Sequence, residues 1–232
     1  MSFARHRRSG SVADLHQDSF IVAERAVHVL EPTARGVALG SAQRDDVVDP
    51  AALARTGRDV TRRHSGGGLV AINPGEMLWV DVTIPATDRL WNDDVGVAFL
   101  WLGECWREAL LAAGEQPTSG GYVVHDGSPV ERELGRLICF AGAGAGEVMD
   151  GSAKVVGLSQ RRTREWARFQ CLVHGAFDAT ESVELVSDTA LSGLSGDVRS
   201  RDEFAEHLTG AVATVQRPGI VLDRFLDLLD ER

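Results

Sequence analysis

Glycine placement constrains this chain more than any other feature. Of its 232 residues 25 are glycine, above the usual ~7%, and they gather in two stretches, RRHSGGG at residues 62–68 and GAGAGEVMDG at residues 142–151. Glycine reaches positive φ without strain and leaves main-chain groups unobstructed. Each stretch therefore reads as a tight connection or as a loop that takes another group against its backbone, not as the inside of a helix. Around them lie short runs rich in β-branched and aromatic residues, which predict strands over 25–30 (RAVHVL), 36–39, 58–63, 69–72, 77–84 (MLWVDVTI), 121–125, 137–140, 147–149, 153–158 and 169–176.

Helical signals are fewer and lie apart from the strand clusters. Asp49-Pro50 opens a short helix through Arg55, with proline at the first helical position. Val95, Phe99, Leu102 and Trp106 recur at helical spacing after Asn92, with Asp93 and Asp94 in the first turn. Ser200 and Glu203 form a capping-box pattern opening a helix to about Val215, and an amphipathic helix over 220–229 follows the break Pro218-Gly219. Strands in clusters with helices set apart predict an α+β fold, a mixed or antiparallel sheet backed by helices. Residues 1–20 read as a polar N-terminal arm, with a short helix over 11–16 as the second reading, and residues 21–232 as one domain.

Hydrophobic residues at 44% and charged residues at 25% exclude a disordered, collagenous or coiled-coil chain. The 24 basic and 34 acidic residues leave a net charge of -10, so no overall positive field gathers phosphate backbones and no nucleic-acid partner is expected. Cys105, Cys139 and Cys171 stand far apart without a C-x-x-C pair, the pattern of a reducing, cytoplasmic compartment. The basic start MSFARHRRSGSVADL lacks an apolar core, and no run approaches the ~20 apolar residues that span a bilayer. The reading is a cytoplasmic protein without a membrane segment. The seven histidines show no pair at metal-ligand spacing, so no metal site is expected.

Two segments can carry chemistry. In RRHSGGG, Gly66, Gly67 and Gly68 can aim N–H groups at an anion or carbonyl while Arg62 and Arg63 add charge; the plain reading is a hairpin loop. In LICFAGAGAGEVMDGSAKVVGLSQRR, Cys139 stands before a glycine-alanine loop and Lys154 on a later strand. A thiol becomes a nucleophile where a cation lowers its pKa; the plain readings are a small buried hydrophobe for Cys139 and a solvated edge charge for Lys154.

Together the two segments resemble the lipoate and biotin protein ligases and the octanoyltransferases that share their catalytic domain. R-R-x-S-G-G-G-x-V followed by a glycine turn is matched by Arg62, Arg63, Ser65, Gly66, Gly67, Gly68, Val70 and Gly75. K-x-x-G-x-A/S-Q-R is matched by Lys154, Gly157, Ser159, Gln160 and Arg161, about ninety residues later. The branch with a cysteine nucleophile is similar around Cys139, Phe140 and Glu147.

The resemblance implies that residues 21–232 form a catalytic domain of this kind, in which the glycine loop and Lys154 embrace an acyl group. It implies that Cys139 takes an octanoyl group from acyl carrier protein and passes it to a lysine of a lipoyl domain or a glycine-cleavage H-type carrier, with no cofactor. The competing readings are a lipoate ligase using ATP and Mg²⁺, with Arg62, Arg63 and Lys154 on the phosphate, and a non-catalytic acyl-binding relic. Two departures stand out: Ile72-Asn73 replaces the family's His-Asp, and Gln170-Cys171 falls where His-Gly is usual, with His174-Gly175 four residues late.

Overall fold

The apolar runs pair into two sheets. In the computed structural model, which describes residues 2–194, 198 and 200–232, the chain runs β1 (Ala4–Gly10), α1 (Val12–His16), β2 (Ala26–Pro32), β3 (Gly36–Leu39), α2 (Pro50–Thr56), β4 (Asp59–Arg62), β5 (Val70–Ile72) and β6 (Met77–Pro85). It continues through α3 (Leu100–Ala112), β7 (Tyr122–Val124), α4 (Arg132–Leu137), β8 (Val148–Asp150), β9 (Ala153–Arg162), β10 (Trp166–His174), α5 (Ala179–Glu184), α6 (Asp188–Ser192), α7 (Arg201–Ala211) and α8 (Pro218–Asp230). The large sheet has the order β1-β2-β6-β10-β9-β8-β7 and the small one β4-β3-β5. Pairing is antiparallel except for β1 with β2 and β3 with β4, the mixed arrangement that the sequence predicts.

The central strands are buried on both faces, which is why they read as continuous apolar runs. On one face Val80, Val82, Phe169 and Val173 pack against Leu102, Trp106 and Leu110 of α3 and Phe225 and Leu229 of α8. There Trp106 and Phe225 stack with ring centroids 3.7 Å apart. On the other face Trp79 and Leu172 meet Ile72 of the small sheet, Phe140, and Val12 and Leu15 of α1. This second interface, between the two sheets, holds the candidate site.

Local signals are realised where they are self-contained. Asp49 caps α2 through the N–H of Ala51 at 2.8 Å, and Ser200 and Glu203 close the capping box of α7. Other elements shift. The α3 region begins late because the Asp94 carboxylate takes the N–H groups of Gly96 and Val97, holding a turn and a 3-10 segment before Leu100. Residues 137–140, expected as a strand, are instead the end of α4 and a 3-10 turn, Cys139–Ala141; their ladder contact is a single bridge of Leu69 with Ile138. Among the described residues no helix is long and apolar enough to cross a membrane.

The polar arm expected for residues 1–20 is instead built into the fold. Residues 4–10 form an edge strand beside β2, held by ion pairs such as Arg7–Glu31 at 2.9 Å and Arg5–Asp230 at 2.6 Å. A solvated edge strand shows the polar composition of an arm. The second reading of 11–16 describes α1, capped by Ser11 and burying Val12, Leu15 and His16.

Candidate active site

Two connected spaces lie where the glycine loop meets β9. An open groove of about 410 Å³ is lined by Gly66, Gly67, Cys139, Glu147, Lys154 and Gln160, among others. A narrow slot of about 40 Å³ runs between the sheets past Ala38, Val70, Ile72, Trp79, Phe140 and Leu172, room for roughly three waters by that measure. Cys139, Leu158 and Ser159 line both, so the thiol-bearing residue stands where slot opens into groove.

The loop before β5 is shaped by Arg63. Its buried guanidinium donates to the carbonyls of Gly66 and Gly68, each at 2.8 Å, which turns those oxygens inward. Among the described residues no acceptor takes the N–H of Gly66 or Gly67. Gly67 has φ +99°, and a Cβ there would stand 2.7 Å from Arg63 Nη2 and 3.2 Å from Cys139 Sγ. Only glycine lets the backbone take this angle beneath the thiol. Gly68 packs against the Cys139 amide, and Gly157 admits the Phe140 ring, whose Cζ would lie 2.8 Å from a Cβ.

Lys154 is not the solvated edge charge of the plain reading: it is 2% exposed. Its Nζ donates to the Cys139 carbonyl at 2.8 Å and to Glu147 Oε1 at 2.9 Å, and sits 5.1 Å from the centre of the Phe140 ring. Glu147 also accepts from the amides of Gly144 and Leu158. A buried charge is tolerable only when paired and hydrogen-bonded, and this pair is. Both Glu147 oxygens approach the ammonium, Oε2 at 2.8 Å, and Lys154 also borders the groove.

The other side of the slot carries a run of uncharged polar side chains, near the guanidinium of Arg63. Ser159 donates to Ser65 at 3.1 Å, Ser65 donates to the Gln170 oxygen at 2.6 Å, and the Gln170 amide nitrogen lies 3.2 Å from His16 Nδ1. Burial first, then the charges of Arg63 and Arg168, hold His16 well below the usual histidine range.

The structure thus brings together Cys139, Lys154, Arg63, Ser65, Gly66, Gly67, Gly68, Gly157, Ser159 and Gln160. Arg62 is the exception among the residues expected to bind or catalyse. It turns away from both spaces to the Gly40 and Gln43 carbonyls and Asp45. Cys105 and Cys171 are in the core, with Cys105 pushed up to about 12 by burial. His174 lies behind Phe140, ring centroids 4.6 Å apart, and faces neither space. Site residues that the motifs do not mark are His16, Arg132 and Arg136: His16 borders the slot and the two arginines border the groove.

No family model and no curated protein matches the chain. Solved structures do. A bipartite lipoate protein ligase from Thermoplasma acidophilum, described with its E2 lipoyl domain, is 15% identical, aligned over 100% of this chain and 83% of that one, with a TM-score of 0.72. A lipoate-protein ligase A bound with ATP is 17% identical over 100% and 96% of the two chains, TM-score 0.58. P. falciparum LipL1 in complex with lipoate is 10% identical over 99% and 71%, TM-score 0.52. The chain therefore has the fold of the lipoate-protein ligases.

Proposed function

We propose that this chain is an acyltransferase that moves a medium-chain acyl group, octanoyl being the simplest, onto a lysine of a carrier domain through a thioester on Cys139. The observation that carries the reading is the position of Cys139 at the mouth of the apolar slot, beside uncommitted glycine N–H groups and beneath Lys154. The acyl tail enters the slot, widening it, while its carbonyl stays at the mouth. Cys139 attacks the carbonyl of a thioester donor; the new C–S bond replaces the donor's C–S bond, and the donor thiol leaves with the Cys139 proton. The amine of the acceptor lysine then attacks, an amide forms, and the Cys139 thiol is regenerated with the amine's proton. Lys154 and the N–H groups of Gly66 and Gly67 stabilise the oxyanion of each step.

An acyl carrier protein fits as donor and a lipoyl-type domain as acceptor. The donor reading draws on Arg132 and Arg136, which border the groove and can meet an acidic carrier and its phosphate. The bipartite neighbour was described with its E2 lipoyl domain. Three free cysteines accord with a cytoplasmic setting.

The same two arginines favour a second reading, an ATP-dependent ligase. Lys154, Arg132 and Arg136 would hold its phosphates; Arg62, engaged with Asp45, would not. When bound, ATP with Mg²⁺ would supply the activation that a free acid lacks. Intact mass separates the routes. Mixing the protein with octanoyl carrier protein without ATP should add one octanoyl mass, removable by hydroxylamine and absent in Cys139→Ser. If no adduct forms, and free acid is transferred only with ATP by Cys139→Ser as well as by the native protein, the ligase reading replaces it.

A further inference from the structure

Apart from Arg63, the polar side chains that line the slot, Ser159, Gln170 and His16, gather at one corner, and the polar atoms of that corner are oriented. Ser159, Ser65 and Gln170 pass hydrogen bonds in one direction, ending with the Gln170 amide N–H on His16 Nδ1. Nδ1 is thereby the acceptor, and a neutral imidazole then carries its proton on Nε2. Nε2 is buried and among the described residues has no hydrogen-bond partner, and the residue is 6% exposed. A buried donor without an acceptor is costly.

The main chain that carries the ring is tied down, and the ring itself is packed. The Arg168 guanidinium donates to the carbonyls of Leu15 at 2.7 Å, His16 at 3.2 Å and Gln17 at 2.9 Å, and is itself anchored on buried Asp81 at 2.6 Å. Trp79 lies against the imidazole at 4.5 Å between centroids.

The corner is also at the right place. Phe140, next to Cys139, sits over Gly157 of β9, whereas His16 lies against Gln170 of β10 and Trp79 of β6. The strand order is β6-β10-β9, so the two ends of the slot are up to two strand spacings, about 10 Å, apart. A chain attached at Cys139 that follows the slot has its distal end at His16.

We infer that His16 reads the distal end of the bound acyl chain by donating a hydrogen bond from Nε2, so that the preferred chain carries an oxygen or sulfur acceptor there instead of ending in a methyl group. The inference rests on the slot being the acyl site, as proposed above, and makes plain octanoyl the poorer of the medium chains.

Calorimetric binding of three free acids to the full chain tests it: octanoate, ω-hydroxyoctanoate and lipoate. At least one acceptor-bearing acid should bind about tenfold more tightly than octanoate, the worth of one hydrogen bond, and the better of the two identifies oxygen or sulfur as the acceptor. His16→Phe should abolish that preference while retaining octanoate. His16→Gln, which keeps an N–H donor, should restore part of it and serves if the phenylalanine variant does not fold. Native protein that binds octanoate as tightly as the other two, or a preference that survives in both variants, overturns the inference. Carboxamidomethylation of Cys139 separates the layers. If octanoate binds and the modification blocks it, the slot stands and only the role of His16 is at stake; if no acid binds, or the modification has no effect, the site reading falls and the inference with it.

Discussion

At the groove end of the site, a lysine and a glutamate with 2% and 5% of their side-chain surfaces exposed hold each other at 2.8 Å, and their remaining bonds go to main-chain groups of the chemical segment. At the slot end, two serines, a glutamine and a histidine form a neutral relay that finishes in an unpaired nitrogen. The first corner is a fixed, paired charge bordering the groove, which suits charge that appears only during a reaction. The second is incomplete until something binds, which suits recognition of a resting ligand. Pre-placed charge acts on transition states, whereas a single unmet hydrogen bond discriminates among ligands.

The largest test breaks the charged corner. Lys154→Met leaves the Glu147 carboxylate buried without its cation and should cost about 3–5 kcal/mol in urea unfolding, with transfer reduced roughly a hundredfold. Adding Glu147→Gln should return most of the stability and none of the transfer. A double variant that recovers both would make the pair purely structural.

A smaller effect is expected at the neutral corner. Gln170→Leu strands the Ser65 hydroxyl and His16 Nδ1 and should cost about 1–3 kcal/mol in the same measurement, leaving the rate with saturating donor nearly unchanged. A loss as large as that of Lys154→Met would erase the contrast between the two ends.

Acid gives the smallest effect. His16 and His174 are buried and held below the ordinary histidine value, His174 at about 4 through burial alone. A base whose folded pKa is depressed contributes stability that is complete above the unfolded value near 6.5 and is lost as pH falls towards the folded one. His174 should therefore account for about 1 kcal/mol lost between pH 7 and about 5.5. Urea titrations at the two pH values should show a shallower decline in His174→Phe; an equal decline would place the sensitivity elsewhere.

The motif residues of the site are legible in the amino-acid order because glycine, cysteine and lysine at fixed spacing state local requirements. Gly67 needs its positive φ whatever surrounds it, and the caps at Asp49 and Ser200 are complete within a few residues. The α+β class is legible for the same reason: the strands and the best helix announce themselves by period. Arg62 misleads because its motif partner, Arg63, looks identical in sequence; only the fold turns one guanidinium onto the glycine loop and the other onto Asp45.

His16 is hidden more deeply. The residues ahead of it look like a solvated arm, since an edge strand and an arm share polar composition, and its contact with Gln170 joins positions 154 residues apart. Lys154 too becomes a buried, paired cation only through Glu147 and the Cys139 carbonyl. Sequence by itself determined which segments could form strands, helices and a backbone cradle, because those depend on each residue and its near neighbours. Tertiary structure alone decided which charges are paired, which nitrogen is left open and where the thiol faces, because desolvation and hydrogen bonding depend on groups that meet only when the two sheets close on each other.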